Sequence, residues 1–293
     1  MTAKPRRRTR ARRRKRPAER GARVQRRRDR PWWRATQPSF VTIGLTTLLV
    51  VGAAYAWPLV RPGETPTPLP VSPSVPVTVP TPQAVPELSA APAPRRTRAA
   101  GSTRPADAYA GWARGLSPTL DIPVVALQAY AYAQVTTART DPGCKLSWTL
   151  LAGIGRIESN HGRYGGAQLR ADGTSRPPIV GVPLDGAPGL MTISDTDGGR
   201  LDGDARYDRA VGPMQFIPST WARSGADGDG DGRKNPFDID DAATAAAGYL
   251  CAGGRDLTTS QGWTQAVLSY NRTAEYVRSV YAYADSYARQ SLG

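Results

Sequence analysis

The chain of 293 residues contains one histidine, His161, two cysteines, three methionines and three phenylalanines. A single imidazole excludes zinc sites that take two or three histidines. Dyads and triads built on histidine need a nucleophile beside it, and no pattern in the sequence marks one. Glutamate is as sparse: beyond residue 107 only Glu158 and Glu275 occur. Any hydrolytic or lytic chemistry carried by side chains therefore depends on carboxylates. Net charge is also missing where the overall value of +15 suggests it. Residues 1–34 hold 17 Lys and Arg against Glu19 and Asp29, while residues 35–293 hold 22 basic and 22 acidic residues. The basic balance thus describes a tail, and the rest of the chain lacks the excess positive charge that phosphate neutralisation requires, so nucleic acid is an unfavoured partner.

The tail, residues 1–39, is Arg-rich and nearly free of apolar residues until its end, a composition that cannot bury a core and predicts disorder. It reads as a cytoplasmic tail that orients a membrane segment, with anionic lipid as a further partner. Phe40–Val60 carries no charge over 21 positions. At 1.5 Å per residue such a helix spans the ~30 Å hydrocarbon core. Trp32, Trp33, Tyr55 and Trp57 flank or close it, as interfacial aromatics do, and the basic tail on one side predicts an inside N-terminus. The competing reading is a cleaved signal peptide, since Ala54-Tyr55-Ala56 makes an A-x-A site. Both place the remainder outside the cytoplasm. Residues 61–106 hold 12 of the 27 prolines and read as an extended linker without a core.

Residues 107–293 hold both cysteines and the helical periodicity, over a length suited to one domain. In an oxidising compartment Cys144 and Cys251 pair as a disulfide, the alternative being two buried thiols. Asp121 and Pro123 suggest a helix start with VVALQAYAYAQVTTAR as its body, and Ser147 suits the cap of a second, WTLLAGIGRIESN. Residues 162–210 are rich in Gly, Pro and Asp and show no helix; 178–184 suits a short strand or an extended loop. Pro218 opens a short helix, Asp240 or Asp241 starts another ended by Gly253-Gly254, and two more follow, from about Ser260 and over AEYVRSVYAYADSYARQ. The expected class is mostly α with a long irregular loop insertion.

Two patterns bear chemistry. Glu158 follows Ile154 on one helix face, near the helix end and beside Ile157. Partial desolvation there raises a carboxyl pKa and suits it to proton donation. Glu275, at the start of the last helix, complements the helix dipole and should be exposed. The second pattern is Asp227-Gly-Asp229-Gly-Asp231-Gly-Arg233. Its carboxylates at positions one, three and five, with glycine at six, match an EF-hand-like calcium loop, where Arg233 offers its carbonyl. Position twelve is Asp238, a methylene shorter than the usual Glu, so Asp241 is the alternative closing ligand. Asp195, Asp197, Asp202 and Asp204 form a further acidic cluster that reads as a solvated loop.

Three stretches, GIGRIESNHGR (153–163), VGPMQFIPSTW (211–221) and LSYNRTAEYV (268–277), together resemble the lytic transglycosylases, most closely the membrane-bound lytic murein transglycosylase B group. The Asp-Gly loop falls between the second and third, as in that group, and the resemblance covers about residues 122–287. It implies a lysozyme-like, SLT-type helical fold with a glycan groove, and cleavage of the β-1,4 bond between N-acetylmuramic acid and N-acetylglucosamine in peptidoglycan to 1,6-anhydro products. Carried over by position, it implies Glu158 as the catalytic acid and Ser159 as its support. Met214, Gln215 and Phe216 would line the groove, Tyr270, Asn271 and Tyr276 would contact the sugar, and a structural calcium ion would be held in the loop. Packing alone would also account for Met214 and Phe216 as core residues and for Tyr276 on its helix. A hydrolytic muramidase on the same fold and a tethered glycan-binding or scaffold protein are the competing functions.

Overall fold

The computed structural model describes residues 79, 81, 84–86 and 104–293, all within one compact unit. The tail 1–39, the expected membrane segment 40–60 and most of the linker lie outside the described residues. Among those described, no helix is long and apolar enough to cross a membrane.

Seven α-helices carry this region: α1 (Ala110–Leu120), α2 (Val124–Thr140), α3 (Trp148–Ser159), α4 (Pro218–Ser224), α5 (Ile239–Cys251), α6 (Ser260–Tyr270) and α7 (Ala274–Ser291). The strands are short: β1 (Gln168–Leu169) pairs with β2 (Ser175–Arg176), and β3 (Val180–Pro183) with β4 (Arg209–Val211), both antiparallel. The mostly helical class is as expected. Polar caps set the starts, with the Ser147 hydroxyl accepting from Thr149 N, Thr259 from Gly262 N and Thr273 from Tyr276 N.

The core lies where α2, α3, α5 and α7 pack together, around Trp148, Tyr130, Leu127, Leu150, Leu151, Ile154 and Trp263, all nearly or fully buried. Two glycines in α3 make this packing possible. A Cβ on Gly153 would lie 2.8 Å from the Val280 carbonyl oxygen, so α3 and α7 approach almost backbone to backbone. A Cβ on Gly155 would overlap the Tyr130 hydroxyl at 2.1 Å.

Three boundaries differ from expectation. Helix α1 has no counterpart in the sequence reading, because Gly111, Gly115 and Pro118 lower its intrinsic helicity. Packing supplies what propensity lacks: Ala113 and Leu120 are buried, and Trp112 meets Trp148 edge-on at 5.3 Å. Asp121 accordingly ends α1 in a left-handed conformation instead of opening α2, whose cap is Pro123. Helix α5 starts from Asp238, which accepts from Asp240 N, two or three residues earlier than expected.

The N-terminal edge of the domain also reaches further back than residue 107. A short 3-10 turn spans Pro105–Tyr109, and Arg104 just before it is 2% exposed. Its guanidinium grips Asp240 through Nε (2.6 Å) and Nη2 (2.8 Å). A buried arginine requires such a two-pronged partner. Part of the linker, read from its composition as having no core, is likewise docked: Val85 is buried, and Val79, Thr81 and Ala84 line one cleft with Leu146, Leu257 and Trp263.

Cys144 and Cys251 form a disulfide with Cα atoms 5.4 Å apart, tying the α2–α3 loop to the end of α5. Closing a loop of 107 residues contributes about 4–5 kcal/mol in the chain-entropy picture.

Candidate active site

Glu158 stands in the last turn of α3, in the part of the helix that emerges from the core. It is half-buried, with Ile154 one turn below it fully buried. Its carboxylate Oε1 accepts a short hydrogen bond from the hydroxyl of Tyr276, in the first turn of α7. Burial pushes the Glu158 carboxyl up to about 7, and the Tyr276 bond opposes part of that rise. Burial and the neighbouring Glu158 hold Tyr276 and Tyr270 well above the usual phenol value, so both hydroxyls stay protonated donors. Glu275, as expected, is exposed.

The neighbouring residue joins α3 to the next segment of the site. The Ser159 hydroxyl donates to the Pro213 carbonyl at 2.6 Å and accepts from Gly162 N at 2.7 Å. The segment it grips, 211–216, is a tight reversal in which Val211 and Phe216 exchange both backbone bonds, at 2.8 and 2.9 Å. Inside it Gln215 adopts a left-handed backbone, φ 50°. This rotates the amide away from its apolar neighbours: Met214 and Phe216 are buried in the core while Gln215 is half-buried. The amide donates to the Gly212 carbonyl at 2.8 Å, and its oxygen abuts Gly181 of β3, which places the irregular insertion against the site. Tyr270 at the end of α6 closes the ring by donating to the Met214 carbonyl at 2.8 Å.

Glu158, Ser159, Gln215, Tyr270 and Tyr276 thus come together from α3, the 211–216 reversal, α6 and α7. Met214 and Phe216 differ from the groove-lining expectation, because their side chains face the core, where Phe216 meets Trp221 and Tyr270 edge-on. They anchor the 211–216 reversal in the core. Asn271 is exposed, and its Oδ1 accepts from Thr273 N and the Thr273 hydroxyl, which shapes the entry to α7. Gly181 was not singled out from sequence; nothing local to it signals contact with a residue 34 positions later.

The loop 227–241 brings carboxylate oxygens of Asp227, Asp229 and Asp241 within 4.8 Å of one another. Asp241 also accepts from Gly228 N (2.6 Å) and Asn235 N (2.7 Å), folding the loop over its side chain. Burial, with Asp229 adding to it, raises the Asp241 carboxyl to about 7. Of the other expected ligands, Asp231 accepts from Arg233 N at 2.7 Å in an exposed turn. Asp238 departs from the role of twelfth-position ligand: it caps α5 and packs on Gly173. Burial, together with Asp240 and Asp241, lifts its carboxyl as well.

Residues 193–279 match the family model described as the transglycosylase SLT domain. The matched stretch contains Gln215, the aspartate loop, Tyr270 and Tyr276. It also takes in residues 193–210 of the irregular insertion, and it begins after Glu158. No curated protein sequence matches the chain. Among solved structures, the crystal structure of SltB3 from Pseudomonas aeruginosa in complex with NAG-anhNAM-pentapeptide aligns with 19% identity and a TM-score of 0.33. That alignment covers 60% of this chain and 66% of the other, just under two thirds of its length. Residues 193–279, under a third of the chain, thus match a transglycosylase SLT domain, and the GIGRIESNHGR motif at 153–163 precedes that stretch.

Proposed function

We propose that this protein cleaves the glycan strands of peptidoglycan at the β-1,4 bond between N-acetylmuramic acid and N-acetylglucosamine without water, leaving 1,6-anhydro ends. The observation that carries this reading is Glu158, a carboxyl raised to about 7 by burial at the end of α3, with Tyr276 as its hydrogen-bond partner. Glycosidases that hydrolyse their substrate generally use two carboxylates. The influences acting on Glu158 are burial and Tyr276, with no second carboxylate among them. One group that serves first as acid and then as base suits that environment, since its pKa lies close to the working pH.

In this mechanism Glu158 gives its proton to the glycosidic oxygen as the bond to the anomeric carbon breaks. Positive charge develops on the sugar, and the ionised Glu158 carboxylate stabilises it with the substrate's own N-acetyl oxygen. The muramic acid C6 hydroxyl then attacks the anomeric carbon and returns its proton to Glu158, which regenerates the acid. Tyr276 holds the carboxyl in place through both steps. Gln215 offers an amide at the groove for sugar hydroxyls, and Tyr270 fixes the backbone that presents it. Asp227, Asp229 and Asp241 suit a hard divalent cation such as calcium. Its role would be structural, neutralising three crowded carboxylates that join the loop after α4 to α5. The apolar run 40–60 would anchor the domain outside the cytoplasm, facing its substrate.

The test is product analysis of purified peptidoglycan after incubation with the full chain, its disulfide intact, beside Glu158→Gln. Anhydro-muropeptides from the wild type, reduced at least a thousandfold in Glu158→Gln, are expected. Products with reducing ends would replace this reading with a hydrolytic muramidase, and glycan binding with no products from either protein would leave a binding module.

A further inference from the structure

The single histidine occupies an improbable position. Asn160 and His161, immediately after α3, both have left-handed backbones, with φ of 52° and 58°. Asparagine tolerates that region; histidine does so at a cost of roughly 1 kcal/mol or more, and glycine would avoid it. His161 is nevertheless fully buried, with both ring nitrogens engaged. Nδ1 lies 3.2 Å from the Tyr130 hydroxyl of α2, and Nε2 lies 3.0 Å from the Tyr287 hydroxyl of α7. Burial, with Arg163 and Arg156 nearby, pushes the imidazole down to about 3, so it is neutral. A neutral ring has one donor and one acceptor. One tyrosine therefore donates to it while the other accepts from it, and the row Tyr130–His161–Tyr287 is satisfied in one direction.

This row fastens the end of α3 to two helices, three residues after Glu158. Helix α7 is the telling partner. Tyr276 and Tyr287 lie about three turns apart on one face of it, on either side of the crossing where Gly153 meets Val280 and Ala284. One tyrosine bonds Glu158 and the other bonds His161, so α7 grips the C-terminal end of α3 at two points. The Tyr276–Glu158 bond keeps its length only if α3 neither rotates nor slides against α7, and the His161 bridge opposes both movements.

We infer that His161, bridged between Tyr130 and Tyr287, is a positioning residue that sets the contact between Glu158 and Tyr276. The inference rests on Glu158 being the acid of the proposed reaction. It acts through Tyr287 and α7, without touching substrate. Loosening the bridge admits water to the Glu158 carboxyl and lowers its pKa towards the ordinary carboxylate value. The charged and titratable groups around the two sites are Tyr270 of α6, Tyr276 and Tyr287 of α7, Tyr130 of α2, Arg156 of α3, and Arg163 and Asp121 in the loops.

The test uses the full chain and Tyr130→Phe, Tyr287→Phe, His161→Gln and His161→Ala. The phenylalanine variants keep ring packing and remove one hydroxyl each. In folded Tyr287→Phe, kcat on peptidoglycan should fall about tenfold, KM should stay within twofold, and the alkaline limb of kcat should move down by about one pH unit. His161→Gln, which retains a donor and an acceptor, should recover part of the kcat lost in His161→Ala. If His161→Ala does not fold, the two phenylalanine variants still decide. Carboxyl titration of Glu158 by carbon-13 NMR reads the same displacement without turnover. An unchanged titration and an unchanged kcat limb in folded Tyr287→Phe, whatever its thermal stability, would overturn the inference. A wild type that releases no muropeptide but whose Glu158 titration moves in Tyr287→Phe would remove the lytic reading and leave the coupling standing.

Discussion

Two aspartate-rich loops lie within the stretch that matches the SLT domain, and they use the same residue type for different purposes. In the first, residues 195–208, nearly every carboxylate is consumed by the loop's own backbone. Asp195 accepts from Asp197 N, Gly198 N and Gly199 N, Asp202 from Asp204 N and Arg209 N, and Asp204 from Arg206 N and the Arg209 guanidinium. The buried Asp208 is taken up by the backbone N–H and hydroxyl of Thr196. In the second, residues 227–241, Asp227, Asp229 and Asp241 face one another inside a loop closed over by α5. Backbone bonds lower the carboxyl of Asp204, whereas burial raises that of Asp241. Three acidic residues within 4.8 Å occur in both loops, as Asp195, Asp197 and Asp208 show, so proximity alone does not make a cation site. Backbone N–H groups also meet the carboxylates of the second loop, Asp227 from Gly230 N and Gly232 N and Asp241 from Gly228 N and Asn235 N. The difference therefore lies in the arginines that meet Asp197 and Asp204 in the first loop and in the burial that raises Asp241 in the second.

The largest effect that would test this contrast is a thermal shift with calcium. After treatment with a chelator, added calcium should raise the melting temperature by about 5 °C or more, the consequence of saturating a site on the native state only. Asp241→Asn should abolish most of that response. Without a cation, the raised pKa also dictates the sign with pH. The neutral form of Asp241 favours the native state, so its contribution is full below about pH 4 and is lost as pH rises through about 7. Chelated protein should therefore melt lower at pH 8 than at pH 5, and calcium should remove that drop. Equal melting curves with and without calcium would erase the distinction between the loops.

A smaller effect is expected on the other side of the comparison. Asp208→Asn removes charge-assisted bonds from a buried residue and should cost about 1–3 kcal/mol. Thermal denaturation should show the same loss in chelator and in calcium; a loss that calcium reverses would make this loop a cation site as well. The smallest effect is that of Asp204→Asn. Its lowered carboxyl contributes above the ordinary carboxylate pKa and loses that contribution as pH falls through its own. The variant should differ from wild type near neutrality and converge with it in acid, as urea unfolding at several pH values would reveal.

The same comparison shows which parts of the site were legible beforehand. The regular Asp-x-Asp-x-Asp-Gly spacing marked the second loop, yet its closing residue depended on packing. Asp238 has the expected sequence position and caps α5, while Asp241, one helical turn later, faces the loop. Glu158 could be found because glutamate is rare and the helix around it is strongly patterned. The motif around Gln215 was equally visible, but its flanking residues looked alike as groove or core. The left-handed backbone at Gln215 separates them, and no side-chain pattern announces a backbone rotation. Helix α1 stayed hidden because its glycines and proline argue against a helix that Trp148 stabilises from outside.

By itself the sequence determined the helical class, and it offered the pairing of its only two cysteines and an exported-domain organisation as expectations. These follow from local periodicity and composition, which require no knowledge of neighbours, whereas Glu158 as the candidate acid came from the resemblance of the 153–163 motif. The tertiary structure alone decided what surrounds that acid. Tyr276 reaches Glu158 across 118 residues, Tyr287 reaches His161 across 126, and Arg104 reaches Asp240 across 136. Burial and hydrogen bonding set the protonation of a carboxyl, and both are supplied by residues remote in the chain, so the chemistry of Glu158 arises only when α3, α6 and α7 are packed together.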